Sequence, residues 1–289
     1  MIVFGHRSDK AEQGYESMKR LMFLGDIVGR NARQTVIAKA ADLKLSHKCD
    51  FLVVNCENAA GGYGVTPSIC DELFGAGIDA LTTGNHVWDK SEISPYIETE
   101  SRLLRPVNMA PEFPGVGVTI IAGEDGTRYG VVNVMANLFM AQNDNAFAAM
   151  DKVLTTLKLG RDADAIIVDF HGEATSEKVA MGHYLDGRVS LVVGTHTHIP
   201  TADLRILTGG TAYQTDAGMC GDYESVIGMD KDVAISRFTK RGSGRLSVAQ
   251  GEPSLCGVIV DVAPNGLATA VFPFRSGGAL LETPSIAVK

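Results

Sequence analysis

No apolar run in the 289 residues reaches membrane-spanning length, and the first one, Met1 to Phe4, is too short for a signal peptide before the polar stretch His6 to Glu16. Five cysteines (Cys49, Cys56, Cys70, Cys220 and Cys256) form no C-x-x-C pair and are odd in number. That argues against a disulfide framework and for a reducing compartment. Basic residues are outnumbered 26 to 34 and scattered, so the chain lacks the stripe that tracks long nucleic acid. There is one tryptophan, with no internal repeat and no low-complexity tract. These absences leave a soluble, cytoplasmic protein with no membrane and no long nucleic acid among its partners. A small phosphorylated ligand stays open, because a metal ion supplies the positive charge that the surface does not.

What is present is enough apolar material, 45% of residues, to bury a substantial core, and one large α/β domain is the expectation. Residues 1–17 are mostly polar and aperiodic, and end just before a second methionine, Met18; they read as a disordered leader or an alternative start.

From Met18 the chain reads as strand, loop and helix units. Apolar runs at Leu21 to Leu24, Phe51 to Val54, around Leu81, Ala165 to Asp169 and Leu191 to Val193 are expected strands. Helices are expected from Asn31 as cap towards His47, from Thr66-Pro67, from Ser91 towards Glu100, over 146–158 and from Thr175 to Leu185. Val118 to Ala122 and Tyr129 to Val134 flank a turn at Glu124 to Thr127, and two more hairpins are expected across Gly209-Gly210 and Pro264-Asn265-Gly266. Between these last two, 217–251 is glycine-rich and irregular apart from a helix expected around Asp232 to Phe238. A segment of that kind is usually functional, and a cap over a site is the expectation.

Several chemistry-bearing residues follow directly on the apolar runs: Asp26, Glu57 with Asn58, Asn85 with His86, His171, and His196 with His198. If the runs are parallel strands, these side chains emerge at one carboxyl edge. Taken singly, each has an ordinary explanation as a helix cap, a turn residue or a hydrogen-bonded histidine. Two histidines one residue apart point to opposite faces of a strand, yet at a strand end before Pro200 the chain can curl to present both. Together they make a metal site. Carboxylate, amide and imidazole donors without thiolate suit Mn, Fe or Zn, and a carboxylate can bridge two ions.

Other features carry less. Gly75 to Ala80 matches G-x-G-x-x-A but comes after a helix and before a strand, the reverse of a dinucleotide-binding turn. Ser176 lies in no nucleophile elbow. Gly61-Gly62-Tyr63-Gly64 suits either close approach of a phosphate or a plain turn. Trp88 suits either stacking on a base or packing.

The order of these residues resembles the calcineurin-like metallophosphoesterase superfamily. Its pattern appears here as Gly25-Asp26-Ile27-Val28, Asn55-Cys56-Glu57-Asn58, Gly84-Asn85-His86, His171 and Gly194-Thr195-His196-Thr197-His198. Val28 stands where the superfamily usually has a histidine, and Glu57 where it has aspartate. Both departures, together with Asn55 to Gly62, Thr83 to Asp89, Asp169 to Lys178 and Thr215 to Gly221, are similar to a bacterial branch of phosphodiesterases acting on 2′,3′-cyclic nucleotides.

The resemblance implies two mixed β-sheets packed face to face with helices outside, a four-layer sandwich over 18–289 with a small cap-like segment at about 217–251. It implies two metal ions, Fe or Mn before Zn: one held by Asp26, Glu57, Asn58 and His198, with Asn58 compensating for Val28, the other by Glu57, Asn85, His171 and His196. His86 would be the general acid that protonates the leaving oxygen after in-line attack of metal-activated hydroxide on phosphorus. Small phosphodiesters, 2′,3′-cyclic nucleotides first and 3′,5′-cAMP second, would be substrates of a homo-oligomer. Two alternatives stay open: a phosphomonoesterase using Arg30 and Arg33 for the extra charge, and a non-catalytic, metal-dependent nucleotide sensor.

Overall fold

Period-two alternation along the strands sends one set of side chains into the space between two sheets and the other set out to the helices. In the computed structural model, which describes residues 18–242 and 244–284, Leu21 and Phe23 of the first strand pack in one core while Met22 and Leu24 pack in another. The leader expected over 1–17 lies outside the described residues.

The first sheet holds β1 (Lys19–Leu24), β2 (Phe51–Asn55), β3 (Ala80–Thr82), β10 (Leu255–Val262) and β11 (Ala268–Ser276), in the order β11-β10-β1-β2-β3. The second holds β4 (Val118–Ala122), β5 (Arg128–Met135), β6 (Ala165–His171), β7 (Leu191–Thr195), β8 (Arg205–Ile206) and β9 (Ala212–Gln214), in the order β4-β5-β6-β7-β9-β8. β1, β2 and β3 are parallel to one another, as are β5, β6, β7 and β9, whereas the edges β10–β11, β4 and β8 are antiparallel. Both sheets are therefore mixed, as expected.

Between the sheets lie Leu21, Phe23, Phe51 and Val53 on one side and Val131, Ile167, Leu191 and Val193 on the other, with the Phe51 and Tyr129 rings stacked at 4.2 Å. Outside the first sheet, α1 (Gly29–His47) buries Ala32, Val36, Ala40 and Leu43, the helical spacing of one face, and α2 (Pro67–Gly75) buries Ile69, Cys70 and Leu73. Outside the second, α4 (Ala146–Thr156) and α5 (Thr175–Leu185) cover Val132, Ile166, Val168 and Phe170. Helices α3 (Ile93–Ile97) and α6 (Lys231–Phe238) complete the set. The result is the four-layer sandwich.

Some expected caps are not used. Thr66 caps α2 through Ile69 N–H with Pro67 inside the first turn, as read from sequence. Asn31, however, lies inside α1, whose cap position is Val28, and its amide donates to the Gln250 carbonyl at 2.7 Å. Glu92, not Ser91, precedes α3, with no side-chain cap bond. For Asn31, a contact with a distant segment took the side chain that the local pattern assigned to a cap. The five cysteines are free and buried. No helix among the described residues is long and apolar enough to cross a membrane.

Candidate metal centre

Parallel β1, β2, β3, β6 and β7 end on the same edge of the sandwich, and every candidate residue follows or closes one of those strands. Asp26, Glu57, Asn58, His171 and His198 are buried, and Asn85, His86 and His196 are partly so. Carboxylates and imidazoles do not go into a protein interior without compensation, so the partners of each atom matter.

Each of three histidines has one ring nitrogen tied to an oxygen and the other turned inward. The Thr195 hydroxyl donates to Asp169 Oδ1 at 2.6 Å, so its oxygen accepts from His171 Nδ1–H at 2.9 Å. His198 Nδ1–H donates to the Ile227 carbonyl at 2.9 Å, and His196 Nε2 lies 3.3 Å from Glu173 Oε2. For His171 and His198 the proton is thereby placed outside and the lone pair inside, the arrangement that orients metal-binding histidines.

The inward atoms crowd one another. His171 Nε2 has Glu57 Oε2 at 2.6 Å, Asn85 Oδ1 at 3.1 Å and His196 Nδ1 at 3.2 Å. Glu57, His171 and His196 offer donor atoms all within 4.8 Å of one another. Beside them, His198 Nε2 stands 3.3 Å from the Asn58 amide. Asp26 Oδ2 accepts from His196 N–H at 3.1 Å, while Asp26 Oδ1 and Glu57 Oε2 are buried with no hydrogen-bond partner. Two buried carboxylate oxygens without partners, one of them beside His171 Nε2, call for cations, and the mixed O and N donors fit first-row metals.

The electrostatics agree. Burial pushes the Asp26 carboxyl up to about 6, with His198 and His171 opposing. Burial alone would also raise Glu57, but the His171 imidazole outweighs it and holds the carboxyl down to about 2. Burial would lower His171, yet Glu57 more than offsets this and lifts it to about 9. His196 is pushed down to about 3 by burial and by neighbouring His171. The buried carboxylates of Asp26 and Glu57 thus favour positive charge beside them.

Local backbone explains how the sequence presents these atoms. His196 and His198 both have positive φ, 92° and 67°, so the curl expected before Pro200 is made by two residues in the left-handed half of backbone space. Strain of this kind persists where surroundings fix it. Here Lys178, fully buried, donates to the Thr195 carbonyl at 2.7 Å and to Asp216 Oδ2 at 2.8 Å, and Asp216 accepts from the Thr197 N–H at 3.0 Å and from the Thr197 hydroxyl at 2.6 Å. Gly84 is required for a different reason: a Cβ there would lie 2.2 Å from His171 Nε2.

His86 stands apart from the cluster. Its backbone N–H donates to Glu57 Oε1 at 3.0 Å, its Nδ1 contacts Asp89 Oδ2 at 2.8 Å, and its ring meets Tyr63 edge to face. His86 also lines a cavity of about 410 Å³, together with Asn58, Tyr63, His196, His198 and Met229. Gly62 lies in that wall too, so the glycine turn borders the site.

Val28 is buried, and a Cβ added to Gly228 would lie 2.6 Å from Val28 Cγ1, so the valine packs under a turn of the 217–251 segment. That segment is not uniform. Residues Ala217, Met219 and Cys220 are buried in the body of the fold, whereas Ile227 and Met229 reach the cavity. Trp88 stacks on Phe113 at 5.2 Å and 12°, which makes it a packing residue rather than a base platform. Arg33 donates to the Ala59 carbonyl at 2.9 Å and Arg30 is exposed; no lysine or arginine lines the cavity among the described residues.

Sequence reading missed the supporting partners Asp89, Asp169, Glu173, Asp216 and Ile227. The first four fall within the stretches that carry the resemblance, but their role depends on contacts across 3 to 38 positions. Ile227 contributes a carbonyl, for which no side-chain signal exists.

A family model described as YmdB-like protein matches residues 22–274. A 2′,3′-cyclic-nucleotide 2′-phosphodiesterase of Bacillus subtilis (strain 168) is 43% identical over 84% of this chain and 91% of its own. Among solved structures, a hypothetical protein from Thermus thermophilus is 36% identical, with a TM-score of 0.83 over 90% of this chain and all of the other. A novel phosphatase from Mycoplasma pneumoniae is 32% identical, with a TM-score of 0.83 over 90% and 94%. These matches bear out the resemblance read from the motifs and the four-layer fold it implied.

Proposed function

The chain belongs to the YmdB-like family, and from that premise we propose that it is a metal-dependent phosphodiesterase that opens the ring of 2′,3′-cyclic nucleotides. The observation that carries this reading is the buried cluster in which Glu57, His171 and His196 bring donor atoms within 4.8 Å of one another, with Glu57 Oε2 and Asp26 Oδ1 buried and without hydrogen-bond partners. Asp26, Glu57, Asn58 and His198 would hold one ion and Glu57, Asn85, His171 and His196 the other; the donor set suits Mn, Fe or Zn, and the resemblance favours Fe or Mn. Two such ions, when bound, neutralise charge on the phosphoryl oxygens and activate water.

The remaining steps belong to the protein. Glu57, with Oε2 beside His171 and Oε1 on the His86 N–H, fixes the distance between the cluster and the proposed acid. Asp89 orients His86 so that its free nitrogen faces the cavity, where it donates a proton to the departing ribose oxygen. A cavity wall without lysine or arginine suits a monoanionic diester better than a dianionic monoester, which needs further cations. A cytoplasmic location, expected from the sequence, and a homo-oligomer, implied by the resemblance, go with this reading; free buried cysteines support the first.

The test is elemental analysis paired with turnover of 2′,3′-cAMP, 3′,5′-cAMP and bis- and mono-p-nitrophenyl phosphate. Two ions per chain and preference for the cyclic 2′,3′ diester are expected. Clear preference for the monoester would sink the reading in favour of a phosphatase. Two bound ions with tight nucleotide binding and no turnover under any metal would make the protein a sensor.

A further inference from the structure

Beside the metal cavity lies a second, almost wholly apolar one of about 480 Å³, and Ile227 and Met229 line both. Its remaining wall comes from Val226, Ala234, Phe238 and Leu246, with the Arg237 side chain at its border. Phe238, at the end of α6, is 82% exposed, and Ile227 in the shared wall is 47% exposed. Among the described residues Arg237 has no ion-pair partner.

The shared wall is strained. Val226 and Met229 exchange both backbone hydrogen bonds at 2.9 Å across a two-residue turn, in which Ile227 has φ 46° and Gly228 φ 95°. Positive φ is costly for a β-branched residue. The turn holds the Ile227 carbonyl on His198 Nδ1 while its side chain separates the two cavities. One residue thus couples the metal centre to the apolar groove, a single wall apart.

We propose that this groove is the nucleobase subsite of the enzyme, and that it favours purines. The inference rests on the phosphodiesterase reading above: with the cyclic phosphate at the metals, the ribose spans the Ile227–Met229 wall and the base enters the groove. Phe238 and Met229 supply a ring and a thioether against the base faces, and the Arg237 guanidinium a cationic plane. A purine covers more of this apolar surface than a pyrimidine and gains more from burial.

The experiment compares 2′,3′-cAMP, 2′,3′-cCMP and the base-free diester methyl p-nitrophenyl phosphate, with binding of the product-like 3′-AMP measured by calorimetry. The native chain should prefer 2′,3′-cAMP to 2′,3′-cCMP in kcat/KM, and the reverse order would overturn the purine preference. In Phe238→Ala the ratio of kcat/KM for 2′,3′-cAMP to that for methyl p-nitrophenyl phosphate should fall about tenfold, the size of one lost base–aromatic stack, and 3′-AMP should bind correspondingly more weakly. Phe238→Tyr should restore both, and Leu246→Glu should lower both. Unchanged ratios and unchanged 3′-AMP binding in Phe238→Ala and Leu246→Glu would overturn the subsite. So would a smaller particle mass in Phe238→Ala with that ratio intact, which would give the groove to a second copy of the chain. Failure to hydrolyse any diester would instead remove the phosphodiesterase reading, and 3′-AMP binding would still decide the groove.

Discussion

His171 Nε2 lies 2.6 Å from Glu57 Oε2, yet that oxygen has no hydrogen bond of acceptable direction. Together with the third donor, from His196, the two atoms lie close enough to be ligands of one ion. Glu57→Gln is therefore expected to remove bound metal together with most of the turnover. Adding Mn2+ should raise the melting temperature of the native chain in a concentration-dependent way and leave that of the variant nearly unmoved. A variant retaining both ions would disprove the bridging role.

For His86 the expectation is the reverse. His86→Ala should keep its metal content and lose about 10²- to 10⁴-fold in kcat, the usual contribution of a positioned proton donor. Asp89→Asn should cost less in kcat, because Asp89 touches His86 Nδ1 and not the cavity. If His86→Ala loses an ion, the residue is a ligand and its assignment as acid fails.

Asn58 is the test of inequality between the ions. Its amide meets His198 Nε2 at 3.3 Å, and no imidazole is available from position 28. Asn58→Ala should weaken one ion by about tenfold or more while the other stays tight, since the Asn58 amide meets His198, which is not in the Glu57–His171–His196 cluster. Metal titration with two resolved classes in the native chain and one in the variant would be the supporting result; uniform weakening of both would contradict it.

Gly84→Ala probes packing of the site directly. A methyl group at that position would sit 2.2 Å from His171 Nε2 and 2.5 Å from Glu57 Oε2, inside the space where ligand atoms converge. We expect a folded protein with native far-ultraviolet circular dichroism and strongly reduced metal content. Full metal content would mean that β3 and the Asn85 turn move freely.

Lys178→Met addresses the buried support. It leaves Asp216 in the interior without its cation, a loss worth ~3–5 kcal/mol in comparable buried pairs. Denaturant unfolding should show that loss. Replacing Asp216 by Asn in the same chain should recover part of it, because the uncompensated charge is gone. Equal stability of single and double variants would mean that the pair contributes little beyond packing.

The strand ends, the helix at Thr66-Pro67, the three hairpins and the cluster of residues following the strands were legible in the chain because they rest on local rules. Apolar runs of a few residues, turn glycines and prolines, and polar residues placed right after a strand all read out within a short window. The absence of a basic stripe or of paired cysteines was equally local. The resemblance in motif order then supplied the fold and its chemistry.

Only the tertiary structure decided which nitrogen of each histidine faces inward, because Thr195, Glu173 and Ile227 come from other parts of the chain. It alone placed Val28 under the Gly228 turn, moved the start of α1 away from Asn31 and turned Trp88 to Phe113. The division has one physical reason. Secondary structure and strand-end placement follow from side-chain period and backbone preference over a few residues, whereas the direction of a lone pair or the wall of a cavity is fixed by hydrogen bonds and contacts between segments distant in sequence.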